Sequence, residues 1–408
     1  MNQLSFSGPG RFCGVYTPPG DKSVSHRALL FGALAEGESA YSNFLEAEDC
    51  LHTLGALREM GIPIELSAGK GLVRISGQGI HGLRAPAKEL YLGNSGTSMR
   101  LLLGILAGQK FEAILSGDPS LSGRPMRRVT DPLKQMGAQI KGRDNGNFAP
   151  LTIRGGKLKA IDFDNKLSSA QVKSALLFAG MYADGRTIVR EKIQSRDHSE
   201  RFLEAAGANF KKDGEMLSIE RTEKLRPFQA KIPGDISSAA FFIVGAAMIP
   251  GSELVVKDVG LNSTRTGLLD VLKRMGAHID IKLTQEVPEP MGEILVRGTK
   301  LTGTGVTHCE IPSLIDELPV LMVAMALAEG ESLISGAAEL RVKETDRIRA
   351  MVQNLKTVGA LIEELPDGCL IKGVDGFQGG TIESFGDHRT AMSLAVASLA
   401  SNNPILVK

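Results

Sequence analysis

Apolar and polar positions alternate along this chain on a long period. Six apolar helical segments end near Gly37, Gly108, Gly185, Gly251, Gly330 and Asn402, at spacings of 66 to 79 residues. After five of them comes a short β-rich piece, then a polar helix closing on a similar phrase. The phrases are Met60-Gly61-Ile62, Met136-Gly137-Ala138, Ala206-Gly207-Ala208, Met275-Gly276-Ala277 and Val358-Gly359-Ala360. Glycine at that place reads as a helix C-terminal stop. Strand-like sequence follows, as in Leu72-Val73-Arg74-Ile75, Leu151-Thr152-Ile153 and Ile294-Leu295-Val296. The unit is therefore strand, helix, strand, helix, strand, strand.

The period exceeds that of ordinary solenoids, which run roughly 20–50 residues. A near-copy groups the units: Pro19-Gly20-Asp21-Lys22-Ser23 returns as Pro233-Gly234-Asp235-Ile236-Ser237, 214 positions later. Six α/β units in two groups of three fit two compact domains, which a chain of 408 residues can fill. The sixth unit reaches Ile405-Leu406-Val407 without a second helix, and a further tail is expected beyond Lys408.

Composition narrows the function. Apolar content of 42% and charged content of 23% are ordinary for a globular protein. Tryptophan is absent, aromatics make up 5%, and 47 basic residues face 46 acidic ones. That balance argues against nucleic acid and membranes as partners. The longest apolar runs, 239–249 and 318–328, are about half a membrane span. The start shows no basic and apolar signal segment. Cys13, Cys50, Cys309 and Cys369 have no metal-like spacing and read as reduced thiols. A cytoplasmic protein, expected to be monomeric, without metal or cofactor, follows.

Each unit places polar residues where its apolar helix begins: Asp21-Lys22-Ser23, Gly93-Asn94-Ser95, Ser169-Ala170-Gln171, Asp235-Ile236-Ser237, Ile315-Asp316-Glu317 and Gly386-Asp387-His388-Arg389. Capping accounts for Ser, Asp and Asn there, and for Asp235, Ser237 and Ser238 it suffices. It does not account for Lys22, Arg27, Arg100 and Arg389, expected in first turns that the helix dipole makes unfavourable for cations. An anionic ligand would offset that. Arg124-Pro125-Met126-Arg127-Arg128, in a Gly/Ser-rich loop, and Arg341-Val342-Lys343-Glu344-Thr345-Asp346-Arg347 add further cations. The second cluster also reads as an exposed helix with i,i+4 pairs.

Asp316 and Glu344 are the carboxylates set among these cations. The cysteines are expected to offer no nucleophile with an adjacent histidine. No G-x-S-x-G elbow is present, and Gly20-Asp21-Lys22-Ser23 lacks the upstream glycine of a Walker A loop.

These motifs resemble the EPSP synthase (3-phosphoshikimate 1-carboxyvinyltransferase) family. The likeness runs from about residue 14 to 400, on 19–27, 92–100, 124–126, 341–347 and 386–389. Segments 169–173, 196–200 and 262–265 resemble the family's class II, which includes glyphosate-tolerant members. The resemblance implies an α/β fold: a two-domain inside-out α/β barrel with six βαβαββ repeats, the sixth incomplete. Its domains would be 20–233 and 1–19 plus 234–408, joined by two crossover strands.

The resemblance also implies transfer of the enolpyruvyl group of phosphoenolpyruvate to the 5-hydroxyl of shikimate 3-phosphate. Shikimate 3-phosphate would be held by Lys22, Ser23, Arg27, Ser169, Gln171, Arg196, Asp316 and Lys343. Phosphoenolpyruvate would meet Lys22, Asn94, Gly96, Arg124, Gln171, Glu344, Arg347 and Arg389. Asp316, Glu344 and Lys22 would be catalytic, in a pocket completed by domain closure. Relatives usually carry a further lysine in a C-terminal segment beyond this chain.

Three alternatives are open at this point. A UDP-N-acetylglucosamine 1-carboxyvinyltransferase shares the architecture but usually carries a reactive cysteine in the loop matching 116–124, where this chain has none. An RNA 3′-phosphate cyclase has related repeats, against which the balanced charge argues. A non-catalytic anion-binding repeat protein would keep Lys22 and Arg27 and have no need of Asp316 and Glu344.

Overall fold

The computed structural model describes residues 4–8 and 10–408. Residues 1–3 and Pro9, part of the expected 1–19 segment, lie outside them. The chain divides into two compact units: 20–233 with 287–289, and the described residues up to Pro19 with 234–286 and 290–408. Each has its own hydrophobic core.

The 20–233 unit contains helices α1 (Lys22–Leu34), α2 (Glu48–Glu59), α3 (Gly96–Ala107), α4 (Arg127–Met136), α5 (Ala170–Gly180) and α6 (His198–Ala206). The odd-numbered helices are buried almost all round, apolar over their later turns and carrying their polar residues near the start. The even-numbered ones bury one face only. Close packing of the central helices needs small residues. A Cβ added at Gly104 of α3 would stand 2.3 Å from the Ala175 carbonyl oxygen of α5, so the two backbones approach there as only glycine permits.

Three four-stranded sheets clothe these helices, with one strand order throughout. The first runs Gln229–Lys231, Glu36–Ser42, Leu72–Gln78, Ile64–Ser67. The second runs Leu90–Tyr91, Glu112–Ser116, Phe148–Arg154, Gln139–Gly142, and the third Asp162–Asp164, Thr187–Arg190, Met216–Ile219, Phe210–Asp213. The first pairing in each is parallel and the other two antiparallel. Parallel neighbours need a crossover, which α3 and α5 supply in the second and third sheets. Register follows burial: Ser39 faces Ile75, and Val73, Ile75 and Gly77 point inward along their strand.

The other unit contains α7 (Ile236–Met248), α8 (Gly267–Arg274), α9 (Leu318–Leu327), α10 (Arg347–Thr357) and α11 (His388–Ala397). Its first sheet runs Cys13–Tyr16, Glu253–Gly260, Met291–Arg297, His278–Gln285, and its second Gly305–Val306, Glu331–Ile334, Gly368–Lys372, Leu361–Leu365. The third sheet has three strands: Gly380–Ile382, Ile405–Val407 and the N-terminal Leu4–Phe6, paired antiparallel. Beside α11 lies an apolar cavity of about 460 Å³, lined by Leu4, Phe6, Phe12, Phe242, Met392 and Leu399 among others.

The two copies of Pro-Gly-Asp mark where the chain passes from unit to unit. The Asp21 N–H donates to the Pro233 carbonyl at 2.8 Å, and the Asp235 N–H donates to the Pro19 carbonyl at 2.8 Å. Both aspartates cap their helices, Asp21 accepting from the Val24 N–H at 2.9 Å and Asp235 from the Ser237 N–H at 2.8 Å. The expected helix stops are left-handed: Gly61, Gly137, Gly207, Gly276 and Gly359 have φ between 73° and 113°.

Candidate active site

In the 20–233 unit the expected residues gather at helix entries. Lys22 is the first residue of α1, and its ammonium meets the Asp49 carboxylate of α2 at 3.0 Å. Burial raises the Asp49 carboxyl, and the Lys22 ammonium outweighs it, holding the group below its ordinary range. Sequence reasoning missed Asp49, which sits unremarked among the acidic residues opening a surface-facing helix.

Arg27 corrects an expectation. It lies in the second turn of α1 and is buried, its Nε donating to Ser199 Oγ at 2.8 Å and its Nη2 to Ser174 Oγ at 3.0 Å. Nη1 donates to the Ser23 carbonyl at 2.9 Å. Burial pushes its guanidinium down to about 10 against the pull of Glu200 and Glu289. Arg100 likewise sits in the second turn of α3. Lys22 and Arg389 thus lie in true first turns, as expected, while Arg27 and Arg100 lie one turn deeper, and all four have protein partners.

Around the α3 entry the polar side chains interlock. Arg124 Nη2 donates to Asn94 Oδ1 and to Ser120 Oγ, and Asn94 Nδ2 donates to Asp118 Oδ2 at 2.8 Å. Asp118 caps a one-turn helix, Pro119–Ser122, inside what reads in the sequence as a plain Gly/Ser loop. Arg100 Nη1 donates to Gln171 Oε1 at 2.6 Å, and Gln171 Nε2 donates to Thr97 Oγ1 at 3.0 Å. Gly96 opens α3, where a Cβ would come 2.8 Å from Arg100 Nη1 and 3.5 Å from Arg124 Nη1. Ser169 caps α5, and Arg196 ends the turn before α6.

In the other unit Arg347 is the organising cation. Its guanidinium is buried and reaches three carboxylates: Asp387 from Nε at 2.8 Å, Asp316 from Nη1 at 3.3 Å and Glu344 from Nη2 at 2.6 Å. Burial alone would lower its proton affinity, but Asp316, Glu344 and Asp387 outweigh it and the group is raised. Arg389, second residue of α11, donates from Nη1 to the Asp316 carbonyl at 3.0 Å, and its Nη2 stands 3.9 Å from Asp316 Oδ2. Asp387 is fully buried and caps α11 through the Arg389 N–H at 2.8 Å. Lys343, half-buried, precedes Glu344 on the way into α10.

Capping does not suffice for Ser237, whose hydroxyl donates to the buried Glu317 carboxylate and accepts from Arg265 Nη2 at 2.7 Å. The cysteine expectation also needs correcting. Cys309 follows His308 in sequence, and its Sγ lies 3.3 Å from His308 Nε2 on an exposed loop. Among the described residues there is no cluster of His, Cys, Asp and Glu suited to a metal ion, and no helix long and apolar enough to cross a membrane.

Known proteins share this pattern along nearly the whole chain. The family model described as EPSP synthase (3-phosphoshikimate 1-carboxyvinyltransferase) matches residues 6–408. A 3-phosphoshikimate 1-carboxyvinyltransferase of Alkaliphilus metalliredigens is 51% identical over 395 residues, covering 97% of this chain and 92% of its own. One of Oceanobacillus iheyensis is 48% identical over 409 residues, covering 100% of this chain and 95% of its own. The solved EPSP synthase of Acinetobacter baumannii aligns with a TM-score of 0.89 at 47% identity, over 99% of this chain and 93% of that one. With these matches spanning the interlocked Asn94–Arg124 and Asp316–Arg347 clusters, the chain belongs to the EPSP synthase family, an α/β family of 3-phosphoshikimate 1-carboxyvinyltransferases.

Proposed function

We propose that this enzyme transfers the enolpyruvyl group of phosphoenolpyruvate to the 5-hydroxyl of shikimate 3-phosphate and releases phosphate, in the cytoplasm and as a monomer. Asp316 takes the proton of the 5-hydroxyl as its oxygen attacks C2 of phosphoenolpyruvate. Glu344 and Lys22 deliver a proton to the methylene carbon, giving a tetrahedral intermediate. Removal of a proton from that carbon then expels phosphate and restores the double bond.

Binding roles follow the same division. Lys22, Ser23, Arg27, Ser169, Gln171, Arg196, Asp316 and Lys343 hold shikimate 3-phosphate. Lys22, Asn94, Gly96, Arg124, Gln171, Glu344, Arg347 and Arg389 hold phosphoenolpyruvate. Architecturally we infer two inside-out α/β barrels, 20–233 and 1–19 with 234–408, built from six βαβαββ repeats. Five are represented by four-stranded sheets, and the sixth by α11 with the three-stranded sheet.

The observation that carries the reading is the arrangement around Arg347, where one buried guanidinium orients both Asp316 and Glu344. A non-catalytic anion binder would gain nothing from carboxylates that compete with its ligand. The test is phosphate release in the presence of both substrates, repeated on Asp316→Ala and Lys22→Ala. Turnover by the parent that both variants lose supports the reading; no turnover by the parent overturns it.

A further inference from the structure

Two residues proposed to grip shikimate 3-phosphate, Ser169 and Arg196, come from separate segments of the 20–233 unit. Behind them lies a buried polar cluster that the chemistry above does not use. Lys173, one turn into α5, is wholly buried. Its ammonium reaches Glu191 Oε2 at 2.8 Å, the Ser195 carbonyl at 3.2 Å and Glu200 Oε1 at 2.6 Å. Two of these contacts are hydrogen bonds and the third is an ion pair.

Glu191 stands at the start of the turn that ends in Arg196, and it gathers that turn onto itself. It accepts from Ser195 Oγ at 2.7 Å and from the Ser195 N–H at 3.2 Å. It also accepts from Asn165 Nδ2 at 2.6 Å. Asn165 then closes on the α5 cap. Its Nδ2 donates to the Ser169 carbonyl at 3.1 Å, and its Oδ1 accepts the Ser169 N–H at 3.3 Å. A continuous path runs from Ser169 through Asn165 and Glu191 to Ser195, the residue bonded to Arg196, with Lys173 tying Glu191 and Ser195 to α5. Asn165, Lys173, Glu191, Ser195 and Glu200 are all buried.

A buried ion cluster of this kind is a poor way to gain stability, because desolvating the charges offsets most of their attraction. Apolar side chains of the same volume would pack as well. They could not fix the direction of a turn, whereas hydrogen bonds of defined geometry do. We propose that Asn165, Glu191 and Lys173 are positioning residues that hold Ser169 and Arg196 at the spacing shikimate 3-phosphate requires. The inference rests on the transferase reading and adds to it a specificity element for one of the two substrates.

The experiment measures phosphate release with each substrate varied in turn, for the parent and for Asn165→Ala, Glu191→Gln, Lys173→Met and the double variant Glu191→Gln/Lys173→Met. The expected result is a KM for shikimate 3-phosphate raised about tenfold or more, with the KM for phosphoenolpyruvate changed by less than about threefold. The double variant should lose no more than the worse single one, since both interrupt one path. Melting curves run alongside, and Asn165→Ala, which removes no charge, carries the test if Lys173→Met does not fold. Unchanged KM for shikimate 3-phosphate, or equal losses for both substrates, overturns the proposal. An inactive parent instead sinks the transferase reading, so the two failures are distinguishable.

Discussion

Arg347 Nη1 lies 3.3 Å from Asp316 Oδ1, and Arg389 binds the carbonyl of the same aspartate at 3.0 Å, so this carboxylate is fixed at both ends of its residue. In the proposed role of general base, a carboxylate held this way needs no reorganisation when its proton arrives. Asp316→Asn keeps an oxygen for Arg347 and removes the base. We expect kcat to fall by about 10²- to 10⁴-fold with smaller changes in either KM. Steady-state phosphate release checks this, and a drop confined to KM would reassign Asp316 to binding.

Gly96→Ala tests the crowding at the α3 entry. The new methyl would displace the Arg100 guanidinium, which stands 2.8 Å from the Cβ position and holds Gln171 at 2.6 Å. The KM for phosphoenolpyruvate should rise by about three- to tenfold. Stability should not fall, because alanine in a helix is favoured over glycine by about 0.5–1 kcal/mol. Kinetics and a melting curve on the same sample separate the two effects.

Gly104→Ala should do the opposite. Its Cβ would lie 2.3 Å from a backbone oxygen, and backbone cannot swing away as an arginine tip can. Overpacking of this kind costs about 1–3 kcal/mol. A lower Tm with little change in KM is expected for either substrate.

Acid sensitivity should begin with His26. Its Nδ1 meets Thr53 Oγ1 at 2.9 Å, and burial first, then the Lys22 charge, pushes the imidazole down to about 3. The unfolded imidazole titrates near about 6.5. Between those values the unfolded chain binds a proton that the folded one does not, so stability rises with pH across the window. It is lost as pH falls below about 6.5, by up to about 1.4 kcal/mol per pH unit. The Asp49 carboxylate contributes in the same direction at lower pH, as its own depressed range is reached. Melting curves from pH 7 to 5 should flatten in His26→Asn, while loss below pH 4 persists.

What could be read from the sequence was whatever backbone geometry demands of a residue type. Gly61, Gly137, Gly207, Gly276 and Gly359 announce helix ends because left-handed φ excludes most side chains. Asp21 and Asp235 announce helix starts because a cap must accept from the chain just ahead of it. Partners chosen across distance were not legible. Asp49 beside Lys22, and Lys173 between Glu191 and Glu200, look in sequence like ordinary surface charge. These pairings, and the burial of the Lys173 group, follow from helices and turns that meet only in the fold. The surroundings of Arg27 were hidden for a related reason: its guanidinium meets three serine groups, two of them well over a hundred residues away in the chain.

Strand Gln229–Lys231 completes the sheet begun by Glu36–Ser42, and strand Cys13–Tyr16 completes the one begun by Glu253–Gly260. A ribosome issuing this chain in order therefore cannot finish its early half early. The sheet edge at Glu36–Ser42 waits for nearly two hundred further residues, and the segment around Cys13 waits even longer for its neighbour. Such distant pairings slow folding and leave apolar edges uncovered in the meantime. Nascent copies of this enzyme should lean on chaperones until translation has passed Gly260.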